Sequence, residues 1–178
     1  ATLQLVSTDV AGTTAANVTA GEMVNLTATF FVPELTNASM LVSVVVPSDG
    51  ATVFVGDISV VVSRIGSYIL DVAGNNGSAN YAVSFSSASG SAVADQVDVL
   101  FTGLNNIRDR VTNASTDSID LSIGFVMSNL AEVRAGVTTA VRLLASSAVA
   151  NETVSVPLLI AEPDLTIASS VSAEAAEL

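Results

Sequence analysis

The sequence predicts an all-β domain, a sandwich or barrel of short strands, and three observations carry that prediction. Apolar and polar residues alternate with period two in several segments. Turn-forming residues recur between those segments at short intervals. Half of the 178 residues are apolar and only 4% are aromatic, so the apolar mass is largely Val, Ala, Leu and Ile. Alternation sets one side of a strand against a core, and β-branched side chains suit a pleated, half-buried surface.

The elements follow in order. The chain opens on Leu3-Gln4-Leu5, two apolar residues at i and i+2. Val24-Asn25-Leu26-Thr27-Ala28-Thr29-Phe30 alternates strictly, as does Ile119-Asp120-Leu121-Ser122-Ile123-Gly124-Phe125. Val97-Asp98-Val99, residues 137–143 and Val154-Ser155-Val156 repeat the pattern. Leu41 to Val46, broken only by Ser43, and Val60 to Val62 are apolar runs, which predicts strands covered on both faces. Turns are expected at Pro47-Ser48-Asp49-Gly50, Gly56-Asp57, Gly74-Asn75-Asn76-Gly77 and residues 87–91. Asn-Gly between alternating strands is a hairpin signal, because both central residues need positive φ. The spacing predicts roughly ten strands. One helical turn fits residues 129–134; no 3.6-residue period persists elsewhere.

Ala161-Glu162-Pro163-Asp164 breaks the pattern, since Pro cannot donate to a ladder. The expected organisation is a β-sandwich over 1–160, then a linker and extension strand over 161–178. In that extension, Leu165-Thr166-Ile167 repeats the spacing of Leu3-Gln4-Leu5, with Val171 following. Two uses fit: the first strand of a following repeat, or a strand donated to a neighbouring subunit. A head-to-tail contact of the second kind does not close, so it builds filaments.

Three absences bound the chemistry: the chain has no Cys, no His and no Lys. It therefore has no disulfide, no thiol nucleophile, no histidine base or metal ligand, and no Lys-based isopeptide crosslink. A Ser–His–Asp triad is impossible. The net charge of −12 opposes nucleic acid, whose phosphates need a basic patch, and opposes anionic membrane surfaces. No apolar run approaches the length of a membrane span, so no membrane insertion is expected.

Three segments resemble a known family. Thr19-Ala20-Gly21-Glu22-Met23-Val24-Asn25-Leu26-Thr27-Ala28-Thr29-Phe30 looks like a strand of the conserved repeat domains of bacterial and archaeal surface and filament proteins. Val99-Leu100-Phe101-Thr102-Gly103-Leu104-Asn105-Asn106, followed by the alternating segment 117–125, is similar to the second half of larger members. Ala161-Glu162-Pro163-Asp164-Leu165-Thr166-Ile167 is similar to their domain junction. The resemblance implies an immunoglobulin-like β-sandwich used as a tandem spacer or adhesive module. One departure is clear: the family's junction usually leads into a Lys-containing strand, and Ala168-Ser169-Ser170 stands there instead.

Six N-x-Ser/Thr sequons are present, at Asn17, Asn25, Asn37, Asn76, Asn113 and Asn151. With 11 Asn and about a fifth of residues Ser or Thr, chance gives about two or three, so the excess points to N-linked glycans. Calcium is a weaker expectation. Asn105, Asn106, Asp109, Asp117 and Asp120 offer oxygens, but no Asp-x-Asp-x-Asp-Gly spacing exists and Arg108 and Arg110 compete. A glycosidase needs two carboxylates across a cleft. Glu22, Glu34, Glu132 and Glu152 are available, yet there is no Trp and only Tyr68 and Tyr81 to stack a sugar. The expected protein is not an enzyme. It is a structural subunit or repeat of a glycosylated extracellular filament or stalk, partnered by copies of itself through Leu165, Ile167 and Val171. The alternative is an adhesin-type module that binds glycan or protein through its loops.

Overall fold

A computed structural model describes residues 1–8, 17–35, 37–48, 53–86, 95–108, 115–129, 136–147 and 151–161. Its strands are β1 (Thr2–Thr8), β2 (Asn17–Val18), β3 (Met23–Phe31), β4 (Asn37–Val45), β5 (Val55–Ile65), β6 (Ile69–Leu70), β7 (Asn80–Ser86), β8 (Gln96–Asn106), β9 (Ser118–Met127), β10 (Thr138–Ser147) and β11 (Asn151–Ile160). The described residues contain no helix.

Two sheets form a sandwich. One has the order β1-β3-β9-β5; the other runs β2-β11-β10-β4-β8, with β7 and the short β6 both on the far side of β8. The four strands of the first sheet match the A-B-E-D order of an immunoglobulin-like domain, and β4-β10-β11 match C-F-G. In that frame, β6, β7 and β8 are an insertion between β5 and β9. They extend the second sheet outward beside β4.

Alternation builds the core. Val24, Leu26, Ala28 and Phe30 of β3 and Ile119, Leu121, Ile123 and Phe125 of β9 are buried. Facing them are Val42 and Val44 of β4, Val97, Val99 and Phe101 of β8, and Val141 and Leu143 of β10. Phe30 and Phe101 meet edge to face between the sheets, with ring centroids 5.7 Å apart. In β4, between β10 and β8, Val45 on the outer face is buried, whereas Leu41 on the same face is 37% exposed.

Three local expectations are corrected. Val60 is buried but Val61 is 58% exposed; nothing covers the outer face of the first sheet there, and its β9 partner Ser122 is exposed too. Gly56-Asp57 is no chain reversal but an irregularity inside β5, where the register to β9 shifts and Asp57 takes φ 49°. Asn76-Gly77 turns the chain, but β6 and β7 do not pair with each other. Both pair with β8, and a Leu70–Asn76 bridge closes the loop. Residues 130–134 lie outside the described residues.

Two glycines are fixed by geometry. Gly103 takes φ 64° where the β4–β8 register shifts, and a Cβ there would stand 2.2 Å from Val72 Cγ1. At Gly66 a Cβ would stand 2.1 Å from the carbonyl oxygen of Thr116.

The ends of the described chain are far apart. The Ala1 ammonium bonds the carboxylate of Glu152 at the start of β11, whereas the Ala161 N–H donates to the Val18 carbonyl at 2.9 Å beyond its finish. The ten residues of β11 separate these points, about 30 Å at the usual rise of a strand. The sandwich thus has an Ala1 end and an Ala161 end.

Candidate functional site

The most unusual surface is the edge of β7, which no other strand pairs among the described residues. Its sequence, Asn80-Tyr81-Ala82-Val83-Ser84-Phe85-Ser86, alternates small or polar residues with large apolar ones. It pairs with β8 from Asn80–Thr102 to Ser86–Gln96 without a register shift. Tyr81, Val83 and Phe85 lie opposite Phe101, Val99 and Val97 and share their core-facing side. The β8 residues are fully buried, yet Tyr81, Val83 and Phe85 are 46%, 40% and 58% exposed. The cause is topological: β7 lies outside the seven-strand frame, and the four-stranded opposite sheet does not reach over it. Only Tyr81 gains an aromatic contact, with Phe101 at 5.7 Å.

The other face of this edge is held by Asp98. Its Oδ1 accepts from Ser43 Oγ at 2.5 Å and Gln96 Nε2 at 2.7 Å, and its Oδ2 accepts from Ser86 Oγ at 3.0 Å. One carboxylate thereby joins β4, β8 and β7, so the edge is a fixed extension of the sheet.

The remaining edges carry protections that β7 lacks. An edge strand left open templates pairing with other chains unless a bulge, charge or proline interrupts it. In β1 the register breaks between Leu5 and Ser7. In β5 it breaks twice, and Asp57 and Arg64 lie on the strand. β11 carries Glu152 and Pro157 and is partly covered by β2. β7 has no charge, no Pro, no Gly and no bulge.

The sequons are dispersed. Asn37 opens β4 and Asn151 opens β11, both exposed at the Ala1 end. Asn76 lies exposed in the loop that follows β6. That loop is tied by Asp71, whose Oδ1 accepts the N–H groups of Ala73 and Asn75, both at 2.9 Å. Hydrogen bonds from the Asn75 side chain and backbone hold the Asp71 carboxyl below its ordinary value. Asn25 lies on the outer face of β3, its Nδ2 3.4 Å from Ser7 Oγ. Asn17 is half-buried in β2 beside Leu159, at the Ala161 end. Asn113 and the extension residues Leu165, Ile167 and Val171 lie outside the described residues.

The oxygen-rich loop is already occupied by a guanidinium. Arg64 Nε donates to Asp120 Oδ2 at 2.6 Å, and its other nitrogens reach Ser118 Oγ and the Ser115 carbonyl. Thr29 Oγ1 donates to Asp120 Oδ1 at 2.8 Å. Burial raises the Asp120 carboxyl, but the bonds from Arg64 and Thr29 outweigh it and leave the group lowered. Asn106 is buried and donates to the Val32 carbonyl at 2.6 Å. Asn105 pairs with Asn37 across the β4–β8 ladder. Asp117 is buried near the start of β9 and receives Thr116 Oγ1 at 3.4 Å. Asp109 and Arg110 lie outside the described residues. Among the described residues no three acidic side chains gather as a metal site.

The carboxylates considered for sugar chemistry do not converge. Glu22 is buried at the Ala161 end and accepts from the Thr19 N–H at 2.6 Å and Thr19 Oγ1 at 3.2 Å. Glu152 stands at the Ala1 end, Glu34 is exposed in a turn, and Glu132 lies outside the described residues. Among the described residues no helix is long and apolar enough to cross a membrane.

Sequence reasoning passed over β7. The signal was present, as alternation around Val83 without a charge, but only the strand order shows that this alternating face is uncovered.

No protein-family model matches the chain, and no curated protein matches it in sequence. Some solved structures are similar to the chain at low identity. The N-terminal domain of the Streptococcus gordonii adhesin Sgo0707 is 14% identical with a TM-score of 0.49; the match covers 89% of this chain and 32% of that one. ACE19, the collagen-binding subdomain of the Enterococcus faecalis surface protein ACE, is 11% identical with a TM-score of 0.40, over 81% and 92%. A DUF4466 family protein from Parabacteroides merdae is 10% identical with a TM-score of 0.34, over 88% and 42%. The chain thus spans about a third of the first of these proteins. The chain is an all-β sandwich, and these likenesses assign it no activity or partner.

Proposed function

We propose that this chain is a structural module of a glycosylated extracellular stalk or filament, joined end to end with copies of itself through a shared β-strand. The observation that supports this reading most is the placement of Ala1 and Ala161 at opposite ends of the sandwich. A strand leaving one unit beyond Ala161 meets the Ala1 end of the next without doubling back. β1 shows what such a strand does here: Leu3 and Leu5 pack half-buried against the core while the backbone pairs with β3. Leu165 and Ile167 have the same spacing, so they fit the role of first strand in a following repeat, the place that β1 holds in this one, with Val171 continuing along it. Each buried aliphatic side chain contributes roughly 1.5–3 kcal/mol to the joint. The boundary between body and joint falls after Ile160, where β11 ends.

Glycans belong to the same reading. The five described sequons lie at strand ends, in a loop or on an outer face, where sugar can extend into solvent. No cofactor belongs to this reading, and calcium is not favoured, because Arg64 holds the Asp120 carboxylate. Intact-mass spectrometry of material from the native source tests the proposal. It predicts sugar-sized increments and a polypeptide or complex holding several units. One bare unit, without sugar and without partners, would contradict it.

A further inference from the structure

We infer that β7 is a self-complementary interface on which a second copy of the chain lays its own β7 antiparallel, so that two sandwiches share one continuous sheet. The contact is side to side and does not depend on the end-to-end joint proposed above.

Three observations carry it. Among the described edge strands longer than two residues, β7 is the one with neither bulge nor charge nor proline. Its core-facing side chains are exposed where their β8 neighbours are fully buried. And the strand reads nearly the same in both directions by chemical type. Asn80 and Ser86 are polar, Tyr81 and Phe85 aromatic, Ala82 and Ser84 small, with Val83 at the centre. A two-fold axis through Val83 therefore sets each Tyr81 against the second copy's Phe85 and the two Val83 side chains against each other. Aromatic and β-branched cross-strand pairs are the stabilising units of a sheet, and an isologous contact requires just this self-complementarity.

Charge favours the same occupant. The chain carries −12, so copies repel each other in general, and a seven-residue edge without charge is where they approach at least cost. No sequon falls on β7 or β8 themselves; the Asn76 sequon lies in the loop that leads into β7. The extension strand is a poorer fit. Its apolar residues Leu165, Ile167 and Val171 leave Ser169 in the alternating series, where β7 offers an unbroken row. Seven residues a side is small beside the roughly 800 Å² per partner of a stable interface, so a single contact is weak. Units in series multiply it through effective concentration, which bundles neighbouring stalks.

The chain has no Cys, so single-cysteine variants report the contact cleanly. Sedimentation of the full chain over rising concentration is expected to show a monomer–dimer equilibrium, and Val83→Lys is expected to weaken it more than tenfold. Under mild oxidation Val83→Cys forms a disulfide dimer. Tyr81→Cys and Phe85→Cys crosslink only when mixed with each other. The Ile167→Asp variant keeps the wild-type dimer. The inference is overturned by a chain that stays monomeric at millimolar concentration. It is equally overturned if Val83→Cys crosslinks no faster than Tyr81→Cys alone, or if Ile167→Asp removes the dimer and Val83→Lys does not. The crosslinking arm decides the matter should Val83→Lys fail to fold.

Discussion

Phe101 is the residue on which both the core and the insertion depend. It is fully buried, meets Phe30 across the sandwich and supports Tyr81 on the neighbouring strand. Phe101→Ala is expected to destabilise the domain by about 3–5 kcal/mol, measured by chemical denaturation. Asp120 gives a pH signature. Its carboxyl is lowered in the folded state by Arg64 and Thr29, so its contribution is present above the unfolded value and is lost as pH falls through the folded one. Arg64 is 40% exposed, which reduces the worth of the pair. Asp120→Asn is expected to cost about 1 kcal/mol at neutral pH, and the gap to the wild type closes on acidification. A gap constant with pH would contradict the assignment. The same guanidinium disfavours a cation in this loop, so calcium or a chelator is expected to move the melting temperature by less than about 1 °C. Gly103→Ala combines positive φ with contact on Val72. It is expected to destabilise by about 1–3 kcal/mol.

At the scale of elements, the legibility of the sequence followed the coverage of each strand. β3 and β9 were readable because each is central in its sheet and buries one face, so Val24 to Phe30 and Ile119 to Phe125 alternate without exception. Val60 to Val62 misled because an apolar run is the same whether its second face is covered or open. What lies beside that face is decided by pairings more than fifty residues away, such as Val61 with Ser122. Gly56-Asp57 misled for a related reason, since bulges and turns use the same residues. The open face of β7 was hidden for a third: the insertion that carries it is visible only once β8 is seen to join β4. Of the candidate sites, the sequon positions were legible as motifs, whereas the capture of Asp120 by Arg64 joins residues far apart in sequence.

For the whole molecule, the arrangement separates three directions of contact. The Ala1 and Ala161 ends lie opposite each other, the β7 edge faces sideways, and the outer face of the first sheet carries Asn25. The charge of −12 sets a salt dependence. Screening shortens the range of repulsion from about 30 Å at 0.01 M salt to about 8 Å at 0.15 M. Lateral association is therefore expected to strengthen with added salt, which sedimentation across a salt series checks; weakening would show that ion pairs drive it instead.

The central claim is that units follow one another end to end, and electron microscopy of material from the native source tests it most directly. Strands of 10 or 11 residues with a short junction between units predict thin rods with an axial period of about 35–45 Å. Isolated single globules, or closed rings with no axial period, would contradict it.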